Sequence, residues 1–307
     1  MSSIKFIPRQ KCLLCGATNL VFKSEIQDFD SSYGKFKLVQ CPQCKMYYTS
    51  PFPSPATLPL LYQNRTTRNF DTHNSRLFEN LKDFVAGRLI KKLTRHLTSS
   101  HPRIVDFGCG NGRFAKCFKK VLPHAEVTAV DFENPVPNLT SPAITSASTS
   151  KIDFSLIYQS TDDFYVNDKK YDLIFLRHVL EHVGDPQNFL NLLVSKLTPQ
   201  GFIYLEVPNI HNGLSRFFDR YLPSYFPPYH LLHYTPENLT YLLNSLALNY
   251  QIGFTEMPIM SNLLANILRQ DLNNLHRLAG VVLHPLQLLL CFKKHTVLTA
   301  IIKARCQ

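Results

Sequence analysis

The 307-residue sequence has no tryptophan, four methionines and eleven glycines. It also lacks any long apolar run. The most apolar late stretch, LAGVVLHPLQLLLCF (278–292), is interrupted by His284, Pro285 and Gln287. It falls short of the roughly 20 residues that a bilayer-spanning helix needs. No apolar signal core stands in the opening MSSIKFIPRQK, so the expectation is a cytoplasmic protein in a reducing compartment. There is no internal repeat, which sets aside stacked-repeat architectures.

What is present begins with charge. Thirty-three Lys and Arg against 22 Asp and Glu give +11. That balance points to an anionic partner. Hydrophobic residues make up 45%, enough for a globular core. The length suits one large domain or two unequal ones.

Four of the eight cysteines stand as Cys12-Leu-Leu-Cys15-Gly and Cys41-Pro-Gln-Cys44-Lys. Without a secretory signal, two C-x-x-C turns favour a metal over disulfides. Each turn offers two thiolates, and two turns complete a tetrahedral zinc site. Between them LVFKSEI and KFKLVQC alternate as short strands do, so residues 1–50 read as a zinc ribbon. Cys109, Cys117, Cys291 and Cys306 lack such pairing and read as core or incidental residues.

The proline-rich SPFPSPATLP (50–59) reads as the exit from the ribbon, and residues 51–100 as a linker with a leading helix in FVAGRLIKKLTRHL (84–97). Thereafter apolar runs alternate with helical stretches, the pattern of an α/β domain over 101–307. The expected strands are 103–107, 126–130, 152–158, 171–177 and 202–208, with closing strands in 249–257 and 295–304. Together they predict a doubly wound, mostly parallel seven-stranded sheet. A Leu-rich helical insertion is expected near 261–292, and a loop over 133–150.

Three of the scarce glycines crowd into VDFGCGNGRF (105–114), as Gly108, Gly110 and Gly112. Glycine is costly to order, so something must come close to this backbone. The loop follows the first strand of the α/β region and opens a helix at 113–122, a place where backbone amides meet a ligand. A dinucleotide loop would read G-x-G-x-x-G; here the third glycine comes one residue early and Asp106 precedes the first. An acid there suits a ligand with a positive centre. Asp131 ends the next strand, where a carboxylate accepts two ribose hydroxyls. Together these describe an adenosyl ligand with an ammonium group, and S-adenosylmethionine fits.

VDFGCGNG followed by AVD resembles the first two motifs of class I S-adenosylmethionine-dependent methyltransferases, which have a Rossmann-like fold. KKYDLIFLRHVLEHV and LTPQGFIYLEVPN resemble the later strand motifs of a small-molecule subgroup. The cysteine pairs and YHLLHYTPENL (229–239) resemble ribbon-bearing methyltransferases of sugar and surface-polysaccharide biosynthesis. The resemblance implies that Asp106, Gly108, Gly110 and Gly112 receive the methionine end, Asp131 holds the ribose, and Asp162 or Asp163 faces the adenine. It implies methyl transfer to a nucleotide-linked or otherwise phosphorylated sugar, with the zinc structural.

Methyl transfer requires that the acceptor be aligned and often deprotonated, and histidine is the usual base near neutral pH. His230 or His233 is the expected base, with Tyr229 positioning; the other reading makes both histidines caps of a helix starting at Thr235-Pro236-Glu237. His178-Val-Leu-Glu181-His182 is a second cluster, with His178 the next candidate base. Ubiquinone-pathway O-methyltransferases carry E-x-x-E-H in the similar segment and bind a divalent ion. Here His178 replaces the first acid, which leaves a metal role or structural hydrogen bonds open. A third cluster, Arg216, Phe217, Phe218, Arg220, Tyr221 and Tyr225, reads as an acceptor lid with arginines for phosphate.

RNA is the alternative acceptor. It is disfavoured because the ribbon balances Lys23, Lys35 and Lys37 against Glu25, Asp28 and Asp30. A non-catalytic zinc-containing interaction protein on the same fold is a third reading. The stretch 278–292, followed by Lys293-Lys294, permits peripheral contact with a membrane surface.

Overall fold

The structure is a computed structural model and describes residues 4–29, 33–54, 56–63, 76–131, 157–268, 273–291 and 294–304. The loop expected at 133–150, the first part of the strand expected at 152–158, and Cys306 lie outside these residues.

Seven strands form the main sheet, in the order β12 (Asn249–Thr255), β13 (Val297–Lys303), β10 (Leu197–Pro208), β9 (Tyr171–Arg177), β6 (Arg103–Phe107), β7 (Glu126–Asp131), β8 (Ile157–Ser160). The β10–β9–β6–β7–β8 run is parallel, and β13 is antiparallel to both its neighbours. The strands are apolar on both faces, as a sheet covered twice requires. Val105, Ile174, Leu176, Ile203 and Leu205 point to one core, where α4 (Thr161–Val166), α5 (Pro186–Ser195) and α7 (Pro236–Ser245) pack. Ile104, Leu173, Phe175 and Phe202 point to the other, beneath α2 (Arg76–Thr94) and α3 (Arg113–Val121). This is the Rossmann-like arrangement. Its chain order reverses between β6 and β9, and open α/β sheets place ligands outside the carboxyl ends of the strands at such a switch point.

Several expected elements differ in extent: the closing strands run Asn249–Thr255 and Val297–Lys303 rather than 249–257 and 295–304. The leading helix starts earlier, at Arg76, and ends at Thr94, whose hydroxyl donates to the Lys91 carbonyl at 2.8 Å. The strand expected from 202 begins at Leu197. Its register shifts between Leu197 and Phe202, where Gly201 lies so close to the Tyr171 carbonyl that a Cβ would sit 2.6 Å from it.

The N-terminal region forms β1 (Phe6–Ile7), β2 (Val21–Gln27), β3 (Lys35–Gln40), β4 (Tyr47–Ser50) and β5 (Phe52–Pro53), followed by α1 (Leu58–Gln63). β1 pairs with β5. β2, β3 and β4 form a meander whose fourth strand comes from far along the chain: β11 (Leu232–His233) pairs antiparallel with β4, Leu232 opposite Tyr48 and His233 opposite Tyr47. α6 (Ser215–Phe218) lies between β10 and β11 in the chain. α8 (Met260–Leu268) and α9 (Asn273–Leu290) occupy the insertion before β13. No helix among the described residues is long and apolar enough to cross a membrane.

Candidate active site

The glycine loop turns sharply from β6 into α3. Gly108, Gly110 and Gly112 have φ of +73°, +51° and +71°, the region that favours glycine. A Cβ on Gly108 would stand 2.3 Å from Val179 Cγ2, whereas one on Gly110 would meet nothing within 4 Å among the described residues. One glycine is thus needed for close packing. Asp106 is buried at the end of β6, and its Oδ2 accepts the Ala115 amide at 2.9 Å. Burial raises its pKa to about 7, against the lowering effect of that amide and of Arg177. Asp131, the last residue of β7, accepts the Gly110 amide at 2.7 Å. Asp162 and Asp163 are exposed in the first turn of α4. Asp163 is engaged at the helix start: its amide donates to Ser160 Oγ at 3.1 Å, and that hydroxyl donates to its Oδ2 at 2.8 Å.

Across Val179 lies the second cluster. His178, just past β9, has φ +53°, an uncommon conformation for a non-glycine residue. Its amide donates to the Glu206 carbonyl at 2.9 Å. Glu181 sits in the 3-10 turn Leu180–His182, 1% exposed, and neither carboxylate oxygen has a hydrogen-bond partner among the described residues. His178 Nδ1 is 3.4 Å and His230 Nε2 3.9 Å from Glu181 Oε1. Burial acts to raise the Glu181 pKa, and the His178 side chain 3.4 Å away is the largest of the influences that lower it. His182 Nδ1–H donates to the Tyr229 carbonyl at 2.9 Å, and its ring meets His230 edge-on at 4.8 Å between centroids. The structure therefore joins two groups that lie some fifty residues apart in sequence.

The two histidines of YHLLHYT part company. His230 Nδ1 faces the Ser224 carbonyl at 2.8 Å, so that nitrogen carries the proton and Nε2 holds the lone pair toward Glu181. His233 turns the other way, onto the ribbon. The Thr49 hydroxyl donates to the His230 carbonyl at 2.7 Å, so His233 Nε2–H donates to Thr49 Oγ1 at 2.9 Å. Burial lowers both histidines to about 3, and both stand neutral. Tyr229 is buried, stacked on Phe226 with ring centroids 4.9 Å apart. Thr235 caps α7 in a reciprocal pair with Asn238, as its sequence anticipates.

Of the third cluster, Arg216, Phe217 and Arg220 are exposed, while Tyr225 is buried with its hydroxyl donating to Asp219 at 2.5 Å. A feature absent from the sequence reading is a buried ion pair behind the loop. Arg177 Nε donates to Glu206, which also accepts the Tyr204 hydroxyl at 2.6 Å, and the guanidinium lies 4.4 Å from the Phe114 ring centre. The RHVLEH string and the acid of EVPN were its only signals.

In the ribbon, the sulfurs of Cys12, Cys15, Cys41 and Cys44 lie within 4.8 Å of one another. The Gly16 and Lys45 amides donate back to the carbonyls of Cys12 and Cys41, closing both turns. The Tyr48 hydroxyl lies 3.1 Å from Cys12 Sγ and accepts the Leu13 amide at 3.1 Å. Four converging thiols with a hydrogen-bonded surround fit a tetrahedral thiolate ion with metal–sulfur bonds of about 2.3 Å.

Comparison with known proteins places the chain in a family. A family model described as "Methyltransferase domain" matches residues 76–250, more than half the chain. The chain belongs to that family. It is 28% identical over 151 residues to the ubiquinone biosynthesis O-methyltransferase of Rickettsia bellii, covering 49% of this chain and 58% of that protein. It is 30% identical over 125 residues to a tRNA U34 carboxymethyltransferase of Nautilia profundicola, covering 41% and 39%. The chain thus spans between a third and three-fifths of the length of these relatives. Among solved structures, the plantazolicin methyltransferase BpumL in complex with SAH has a TM-score of 0.46 at 21% identity, covering 81% of this chain and 90% of that one.

Proposed function

We propose that the protein transfers a methyl group from S-adenosylmethionine to a small anionic acceptor, a nucleotide-linked or phosphorylated sugar. The observation that carries this reading is the contact of Gly108 with Val179, which sets the glycine cradle directly against the His178–Glu181–His230 pocket. The bound cofactor supplies an electrophilic methyl on a sulfonium. The chain's own residues do the rest. Asp106 faces the ammonium end, the open side of Gly110 admits the chain of the ligand, Asp131 takes the ribose hydroxyls and Asp162 the adenine amine. His230 receives the acceptor proton on Nε2, and ionised Glu181 stabilises the imidazolium that results. His182 and Tyr229 hold that ring in place. His233 belongs to the scaffold that ties ribbon to site, and the four cysteines hold one structural zinc.

The sugar acceptor is supported by the ribbon's place. β4 pairs with β11 beside His230, so this module forms a wall of the acceptor region. The test is a panel of nucleotide sugars, sugar phosphates and quinol precursors, incubated with methyl-labelled S-adenosylmethionine and read by mass spectrometry. Label is expected in a phosphorylated sugar. Label in the phenolic compounds alone refutes the sugar assignment, and label in none refutes the activity.

One observation favours a second reading, an RNA acceptor. Arg88, Lys91 and Lys92 of α2, with Arg95 just past its end, line a cavity of about 790 Å³ that also has Tyr204 and Phe254 on its walls. Phosphate contacts by these four cations would give RNA binding a salt slope of about −3. A slope near zero, or one unchanged by Arg88→Glu with Lys92→Glu, removes this reading.

A further inference from the structure

α9 has its azimuth fixed by a buried amide. Gln287 is fully buried; its Oε1 accepts the Ile259 amide at 2.9 Å, and its Nε2 donates to the Met257 carbonyl at 2.7 Å. Leu283 and Leu290, one turn to either side, pack inward beside Leu214 and Leu263. With that face committed, Val282, Pro285, Leu286 and Leu289 must face outward, since i, i+3, i+4 and i+7 share one side of a helix. The surface helices of a soluble domain carry polar residues there. Here every one is apolar, and Val282, Leu286 and Leu289 are 67, 44 and 73% exposed.

The segment that packs on the end of this helix, and the residue just beyond it, carry basic side chains. Gly213 packs so tightly on the end of α9 that a Cβ would overlap the Leu290 carbonyl, and its amide donates to the Lys294 carbonyl at 2.8 Å. The segment leaving Gly213 carries exposed Arg216, Arg220 and Phe217, the last 63% exposed, and Lys294 is itself exposed. The acid of that segment, Asp219, accepts the Tyr225 hydroxyl. α9 contains no Asp or Glu. An apolar helix face edged with Arg and Lys has the chemistry of a helix lying in the interface of an anionic bilayer.

We propose that the outward face of α9, with Phe217, Arg216, Arg220 and Lys294 beside it, docks the protein on an anionic phospholipid surface. The helix lies in the surface and does not cross it. The charge chooses this occupant over a second copy of the chain, because two such faces would bring like charges together.

Because the sequence has no tryptophan, Leu289→Trp gives a single fluorescent reporter at the most exposed position of the face. Its emission is expected to shift to the blue on addition of phosphatidylglycerol-containing vesicles, to shift little with phosphatidylcholine alone, and to return toward its starting value in high salt. In flotation assays of the full chain, Leu286→Glu with Leu289→Glu should weaken vesicle binding about tenfold or more. Unchanged emission with anionic vesicles overturns the proposal. So does self-association without vesicle binding, shown by sedimentation and abolished by the double variant, because the face is then a dimer interface. Equal binding to both lipids also overturns it, since charge then plays no part. If the double variant fails to fold, the tryptophan reporter decides alone.

Discussion

On one side of Val179 the carboxyl edge of the sheet is backbone; on the other it is side chain. The glycine loop makes its cradle by removing side chains within five consecutive residues and by turning their amides toward Asp131 and the Val130 carbonyl. The histidine cluster gathers groups from 47–49, 178–182 and 224–233, and hydrogen bonds from Thr49 to His230 and His233 and from His182 to Tyr229 tie these segments together. The first kind of site is local, and in the proposed reading it receives the methyl donor. The second is assembled by the fold, and there specificity can change without disturbing the cradle.

Substitutions that act on only one side sharpen this contrast. Asp131→Ala removes a charged acceptor from the cradle, an interaction worth about 1.5–3 kcal/mol. Cofactor affinity should fall about 10- to 150-fold by calorimetry, with the melting temperature nearly kept. An unchanged affinity would take the ribose from Asp131.

pH acts on the same side. Asp106 has a raised pKa of about 7, so below that value the carboxyl is neutral and offers the ligand's ammonium no charge. Cofactor affinity should therefore fall as pH drops through 7, by up to about tenfold per unit, and level off above it. Asp106→Asn should flatten the profile; a slope that persists in that variant assigns the titration to another group.

On the other side, Thr49→Val leaves the His230 carbonyl and the His233 Nε2–H without their shared partner. The expected cost is about 1–3 kcal/mol of stability, read from denaturant unfolding, with cofactor affinity unchanged. A stable variant would mean that the ribbon is not fastened through this hydroxyl.

The same division separates what could be read in sequence from what could not. The turn at Gly108, Gly110 and Gly112 was legible because its signal lies within five residues and each glycine takes a positive φ. The cysteine pairs were legible from spacing. The strands 103–107 and 171–177 were found to the residue because a strand buried on both faces is predominantly apolar, here IV-F, and LIFL between charged residues. The pairing of β11 with β4 was not legible, since a two-residue strand carries no periodicity. Nor was the convergence of Glu181 with His230, or the turning of His233 onto Thr49, because only the fold brings these residues together. The Arg177–Glu206 pair was hidden for the same reason: its members lie on adjacent strands, and neither is unusual alone.

The central claim is that the acceptor reacts beside His230, against the glycine cradle. The direct measurement is the rate of labelled methyl transfer by His230→Gln, taken with its affinity for S-adenosylmethionine. Loss of a proton acceptor costs about 10²–10⁴ in rate, and the cradle does not include this side chain. The account predicts a fall of that size with cofactor affinity kept within about twofold. Turnover at the unsubstituted rate would contradict it and send the search for the base back to His178.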